Sequence, residues 1–152
     1  MLKVKEGQKA PDVILKNQKG EKISLKDFLG KKVVLYFYPK DMTPGCTTEA
    51  CDFTENWDRV KKKNAVVFGV SFDDEKNHQK FIEKHGLKFD LLVDDKKELA
   101  NAYGVYQQKT FMGKESMGIV RSTFLIDEKG VLKKIWSPVK VDGHVEAVLA
   151  NL

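Results

Sequence analysis

The chain predicts an α/β fold, a central mixed β-sheet flanked by helices on both faces, and three observations predict it. Val33 to Tyr38 and Ala65 to Val70 are almost uninterrupted apolar runs, as strands covered on both faces are. Between them, apolar residues recur at helical spacing. Near the end, Val120 to Ile126 and Val131 to Trp136 flank the turn Asp127-Glu128-Lys129-Gly130, which reads as an antiparallel hairpin. Strand–helix–strand units imply parallel pairing with right-handed crossovers. With 152 residues, 41% of them hydrophobic, one domain spanning 1–152 can bury a core of its own.

The elements follow in order. Val13 to Leu25 holds two short strands around Gln18-Lys19-Gly20, an N-terminal β-hairpin. Leu25 to Gly30 suggests a single helical turn. After the first buried strand, Thr43 can cap a helix and Pro44 suits its first position. Cys46, Ala50, Phe53, Trp57 and Val60 lie four, three, four and three residues apart, one continuous helical stripe. Lys61-Lys62-Lys63 suits the negative end of that helix. Beyond the second strand, Asp73 or Asp74 caps a helix ending at His85-Gly86. Leu91 to Val93 is a short strand and Lys96 to Tyr103 a short helix. Tyr106 to Gly118 is weakly patterned and reads as a loop. His144 to Leu152 is a terminal amphipathic helix. This succession from Val33 onward is the thioredoxin-like arrangement.

Composition excludes several classes. No run reaches the roughly 18 apolar residues of a membrane span, and Met1 to Gly7 lacks the apolar stretch of a signal peptide. The expectation is a cytoplasmic protein that binds no membrane. Net charge is +5, from 27 basic and 22 acidic residues. The basic residues are lysines dispersed among Asp and Glu, except for Arg59 and Arg121. A nucleic-acid reader clusters its cations, so no nucleic-acid partner is expected.

The only cysteines are Cys46 and Cys51. In a cytosolic chain such a pair points to catalysis or metal binding rather than a structural bridge. Cys46 falls in the first turn of its helix, where unpaired N–H groups and the dipole favour an anion. A thiol there can titrate well below its free value of about 8.5. Stripe position alone would make Cys46 a small core residue. The preceding Thr43-Pro44-Gly45 tips the reading toward a reactive thiol, with a hydroxyl, a rigid start and a backbone that a small substrate could approach.

Five helical steps separate the two Cα atoms by roughly 8–9 Å and turn the side chains about 140° apart. A disulfide needs Cα atoms about 4.4–6.8 Å apart. Either Cys51 is unrelated to Cys46, or the first turns unwind to join them. C-x4-C is not a zinc-knuckle spacing, and His78, His85 and His144 form no ligand pattern with the cysteines, so no metal is expected. Arg121 is a planar cation able to hold an anion by a fork of donors, or simply an exposed strand-end residue. Glu49 reads as an acid favoured by the helix dipole, and Asp73 with Asp74 as a cap.

Pro39-x-x-x-Thr43-x-x-Cys46 resembles the active-site motif of the peroxiredoxins. The string Tyr36 to Cys51 is similar to the peroxiredoxin Q branch, also called bacterioferritin comigratory protein. Lys84-His85-Gly86-Leu87, Phe111-Met112-Gly113-Lys114 and Arg121-Ser122-Thr123-Phe124-Leu125-Ile126-Asp127 extend the likeness over nearly the whole chain. Asp90 departs from it, standing where a proline is common, and Met42 is a variable position.

The resemblance implies an antioxidant thiol peroxidase. Cys46 would be the peroxidatic cysteine and Cys51 the resolving one, joined in an intramolecular disulfide. Thr43 and Arg121 would hold the peroxide oxygens, and Pro39 would shield the site. Hydrogen peroxide and alkyl hydroperoxides would be the substrates, and thioredoxin or a glutaredoxin-like dithiol the reductant. No metal, flavin or haem would be needed, and a monomer is expected. Two rivals remain. A thioredoxin-like disulfide reductase is disfavoured because C-x-x-C is missing and no proline precedes the strand at Val120. A basic binding module is disfavoured by the dispersed lysines.

Overall fold

A computed structural model describes residues 1–152, the side chain of Phe111 excepted. The apolar runs form the expected sheet. β1 (Leu15–Asn17) and β2 (Lys22–Ile23) make the N-terminal hairpin. β3 (Lys32–Phe37), β4 (Ala65–Ser71) and β5 (Asp90–Val93) pair in parallel. β8 (Ser122–Ile126) runs antiparallel to β3, and β9 (Leu132–Trp136) antiparallel to β8. The order across the seven-stranded sheet is β2-β1-β5-β4-β3-β8-β9. Asp90, the departure from the common proline, accepts hydrogen bonds from Asn17 Nδ2 at 3.2 Å and Gln18 Nε2 at 2.9 Å, tying the hairpin to β5.

Among the described residues a short 3-10 turn, Leu25–Phe28, follows the hairpin as expected, and five α-helices cover the sheet: α1 (Pro44–Glu55), α2 (Trp57–Lys62), α3 (Glu75–His85), α4 (Glu98–Tyr103) and α5 (His144–Leu149). The two-residue period of a strand sends alternate side chains to opposite faces. From β3 and its end, Val34, Tyr36 and Tyr38 enter one core with Cys46, Ala50 and Phe53 of α1, Phe81 of α3 and Val145 and Val148 of α5. Val33, Leu35 and Phe37 enter the other, with Leu99, Ala100 and Tyr103 of α4 and Phe124 of β8. The thioredoxin-like arrangement is therefore present, with helices on both faces.

Local expectations need correction in three places, and one alternative is decided. The stretch read as a loop contains two strands, β6 (Tyr106–Phe111) and β7 (Lys114–Ile119), paired with each other outside the main sheet. Their turn residues Met112 and Gly113 have φ of 51° and 79°, the left-handed pair that a tight hairpin turn requires. Much of the ribbon is solvent-exposed, so its sequence lacks the alternation that marks a half-buried strand. The single stripe after Thr43 is two helices, broken at Asn56. There the Asn56 side-chain amide donates to the Asp52 carbonyl at 2.8 Å and competes with the helical ladder. Of the two aspartates expected as caps for α3, Asp74 is the one, accepting from Asn77 N–H at 2.8 Å. Finally, Thr43 occupies the N-cap position of α1, but its hydroxyl donates to the Lys40 carbonyl at 2.8 Å instead of capping.

Among the described residues no helix is long and apolar enough to cross a membrane.

Candidate active site

The chain leaves β3 through Tyr38, whose N–H donates to the Val70 carbonyl at 3.1 Å. Pro39 and Lys40 are exposed. Met42 then adopts a left-handed φ of 67°, uncommon for a residue with a side chain. The chain enters α1 at Pro44, whose missing N–H costs nothing at the first helical position.

Cys46 is the third residue of α1 and is 1% exposed. Its Sγ accepts a hydrogen bond from Arg121 Nη2 at 3.2 Å. The other arm of the guanidinium, Nη1, donates to Glu49 Oε1 at 2.8 Å. Glu49 lies three residues after Cys46, so both side chains face the same way from the helix. Arg121 reaches them from the residue before β8, where its carbonyl accepts from Val139 N–H at 2.9 Å. A Cβ on Gly45 would stand 3.2 Å from Arg121 Nη2. The glycine therefore admits the guanidinium, a role beyond the open backbone its sequence position suggested.

Behind these groups lie Tyr36, Thr123 and His144. His144 Nε2 is 2.8 Å from Thr123 Oγ1 and 4.0 Å from Glu49 Oε2. Burial pushes the His144 imidazole down to about 4, helped by the positive Arg121. The ring is thus neutral at physiological pH and makes no salt bridge to Glu49. Burial pushes the Glu49 carboxyl up to about 7, against the pull of Arg121. Arg121 holds its proton more tightly than usual: burial works against the charge, but Glu49 and Cys46 outweigh it. Two buried side-chain oxygens lack a partner among the described residues, Glu49 Oε2 and the Tyr36 hydroxyl. Burial, then the neighbouring Glu49 and Cys46, raises the Tyr36 phenol well above its ordinary value.

The structure brings Cys46 and Arg121 into direct contact. Thr43 and Pro39 lie on the same loop, Pro39 exposed and Thr43 half-buried. Cys51 sits further along α1, half-buried, and both thiols are free. Its thiol is shifted up by burial and then by Glu55 and Asp52. α1 is unbroken from Pro44 to Glu55, so helix geometry holds the two Cα atoms roughly 8–9 Å apart.

Glu49 was legible only as a dipole acid, although its i+3 spacing from Cys46 could have placed it at the site. His144 and Thr123 carry no local signal at all. Asp41, Asp73 and His78 place three ligand-type atoms within 4.8 Å of one another. Asp73 Oδ2 already accepts from the Asp41 N–H and the Ser71 hydroxyl, Asp41 Oδ2 and His78 Nδ1 already face each other, and three ligands fall short of a closed four-ligand site. A concavity of about 340 Å³ beside Leu25, Phe28, Val33 and Ile126 opens at the other end of β3 and contains none of the groups around Cys46.

Comparison with known proteins agrees with this geometry. Residues 6–135 match the model of the AhpC/TSA family. Peroxiredoxin Bcp of Bacillus subtilis is 54% identical over 151 residues, covering 99% of this chain and 96% of that protein. Peroxiredoxin Bcp of Escherichia coli K12 is 42% identical over 149 residues, covering 98% and 96%. A structure of the Xanthomonas campestris bacterioferritin comigratory protein, studied for its alkyl peroxide reduction activity, superposes with a TM-score of 0.87 at 41% identity. It covers 91% of this chain and 88% of that one. With a free thiol held by a half-buried guanidinium at a helix start, on a sheet of this topology, the chain belongs to the AhpC/TSA family and, within it, to the Bcp or peroxiredoxin Q branch of the peroxiredoxins.

Proposed function

We propose that Cys46 is the peroxidatic thiol and Cys51 the resolving one of a two-cysteine cycle. The observation that carries the reading is the 3.2 Å hydrogen bond from Arg121 Nη2 to Cys46 Sγ. A charged donor favours the anionic form of the atom it faces, and the thiolate is the nucleophile. The sulfur attacks the terminal oxygen of a hydroperoxide. The O–O bond breaks, the S–O bond forms, and the departing oxygen takes a proton to leave as water or an alcohol. Arg121 and the free N–H groups of the first turn of α1 stabilise its developing charge. Thr43 spends its hydroxyl hydrogen on Lys40, so its oxygen remains able to accept from the hydroperoxide O–H. Exposed Pro39 forms the outer lip of the site.

Cys46 is then a sulfenic acid. The start of α1 unwinds, the Cys51 sulfur attacks the Cys46 sulfur, and the oxygen leaves as water. An external dithiol, thioredoxin or a glutaredoxin-like protein, reduces the disulfide by two exchanges. Hydrogen peroxide and alkyl hydroperoxides are the substrates of this reading. We assign the chain to the cytoplasm, working as a monomer of one domain, residues 1–152.

The test is peroxide-dependent NADPH consumption with thioredoxin and its reductase. Cys46→Ser abolishes consumption. Cys51→Ser keeps one oxidation of Cys46 per chain but loses thioredoxin-driven turnover. Unchanged turnover in the Cys46 variant overturns the reading.

A further inference from the structure

Asp41 precedes Cys46 by five residues in a loop whose members Pro39, Lys40 and Met42 are exposed, yet Asp41 itself is 5% exposed. Its carboxyl group is held from two sides. The Tyr38 hydroxyl donates to Oδ1 at 2.5 Å, and His78 Nδ1 stands 2.6 Å from Oδ2. The Asp41 N–H donates to Asp73 Oδ2 at 2.9 Å, and the Ser71 hydroxyl donates to the same oxygen at 2.7 Å. This explains why Asp73 does not cap α3.

His78 is fully buried on α3, and its Nε2 lies 2.8 Å from the Leu92 carbonyl. A carbonyl only accepts, so Nε2 carries a hydrogen. The 2.6 Å contact on the other side of the ring then holds one further proton, on the imidazole or on the carboxyl, and the pair is neutral overall. Tyr38 at the end of β3 and His78 of α3 thus hold the side chain of one loop residue, Asp73 beyond β4 holds its backbone N–H, and β5 supports His78 from behind. The oxidation chemistry uses none of them.

We propose that His78 is a positioning residue: through Asp41 it fixes the upstream end of the segment that unwinds, and so holds Thr43 and Cys46 in the arrangement that meets peroxide. The inference rests on the Cys46–Cys51 cycle proposed above. Downstream, Arg121 holds Cys46 and Glu49 by side-chain contacts, and beyond them Ala50 and Phe53, both 0% exposed, anchor the helix in the core. Between those grips lie left-handed Met42 and exposed Pro44 and Thr48, where the backbone can let go. Without the His78–Asp41 pair the slack runs back into the loop, and the reduced, folded site is populated less often. The disulfide form is already unwound beyond Met42 and loses less.

The experiment mixes reduced protein rapidly with hydrogen peroxide and follows tryptophan fluorescence, with thermal midpoints measured for the reduced and disulfide forms. Variants are His78→Ala, Asp41→Ala and Asp41→Asn. An asparagine can donate to the bare Nδ1 of a neutral ring and accept from Tyr38, so Asp41→Asn preserves the connections without the shared proton. His78→Ala and Asp41→Ala slow Cys46 oxidation about tenfold, and Asp41→Asn stays within about threefold of wild type. The two alanine variants lower the midpoint of the reduced form more than that of the disulfide form. Should His78→Ala fail to fold, Asp41→Ala on the loop gives the same reading. Oxidation of Asp41→Ala at the wild-type rate, or equal loss of stability in both forms, overturns the assignment. Wild-type protein that consumes no peroxide overturns instead the peroxidase reading on which it rests.

Discussion

On one face of the central sheet, Val33, Leu35 and Phe37 pack against Leu99, Tyr103 and Phe124, and the buried phenol of Tyr103 donates to the Pro11 carbonyl at 2.7 Å. On the other face, Val34, Tyr36 and Tyr38 pack against Cys46, Ala50 and Phe53, and the same layer takes in Glu49, Arg121 and His144. The two buried side-chain oxygens without a partner among the described residues, of Tyr36 and Glu49, both belong to this second face. An unpaired buried polar atom costs roughly 1–3 kcal/mol. The difference teaches how one sheet divides its work. The α4 face carries satisfied packing and supplies stability. The α1 face gives up stability beside a reactive sulfur, under a helix that has to open for Cys51 to reach Cys46.

Substitutions on the two faces can break or sharpen this contrast. The largest effect on stability belongs to the α4 face: Leu99→Ala empties a fully buried position and lowers unfolding free energy by about 2–5 kcal/mol. In chemical denaturation the midpoint falls, while the folded fraction still oxidises Cys46 at the wild-type rate. On the α1 face the pattern inverts. Arg121→Lys keeps a charge but cannot reach sulfur and carboxylate with one planar fork. Rapid-mixing oxidation of Cys46 slows about a hundredfold, with little change in the denaturation midpoint.

A smaller effect is a pH dependence. Burial raises the Glu49 carboxyl from its ordinary 4.5 to about 7. A raised group contributes stability that is fully present below the ordinary value and is lost as pH rises through the folded value. The reduced protein therefore loses stability between pH 4.5 and about 7 from this group, and Glu49→Gln, titrated by thermal melts, removes that slope. The smallest effect is Tyr36→Phe, which deletes the orphaned hydroxyl and leaves the ring stacks with Tyr38 and Phe53. It leaves stability unchanged or raises it by about 1 kcal/mol. A large loss in denaturant would show that the hydroxyl is satisfied after all.

The parts of the fold legible beforehand are those where a local pattern carries the information. β3 and β4 show as apolar runs, α3 by its Asp and Gly ends, and the N-terminal hairpin by its turn. The β6–β7 ribbon escaped because much of it faces water and its turn is Met112-Gly113 rather than Asn-Gly. The break at Asn56 escaped because the apolar stripe continues across it. At the site, the position of Cys46 at a helix start was legible from spacing, and Arg121 gained weight only through family resemblance. Glu49 as the counter-ion of Arg121 was not legible, because that pairing spans 72 residues. His144, 21 residues from Thr123, was hidden for the same reason. Nor was the grip on Asp41, which comes from a histidine 37 residues away.

The central claim is that the start of α1 opens to join two cysteines the intact helix keeps apart. It is tested most directly by treating the reduced protein with one equivalent of hydrogen peroxide, mapping its disulfides by mass spectrometry and following amide hydrogen exchange along the chain. The account predicts a Cys46–Cys51 bond within one chain and lost protection confined to residues 42–52, with β3 and β4 unchanged. A bond between two chains, or a Cys46–Cys51 bond with the amides of α1 still protected, would contradict it.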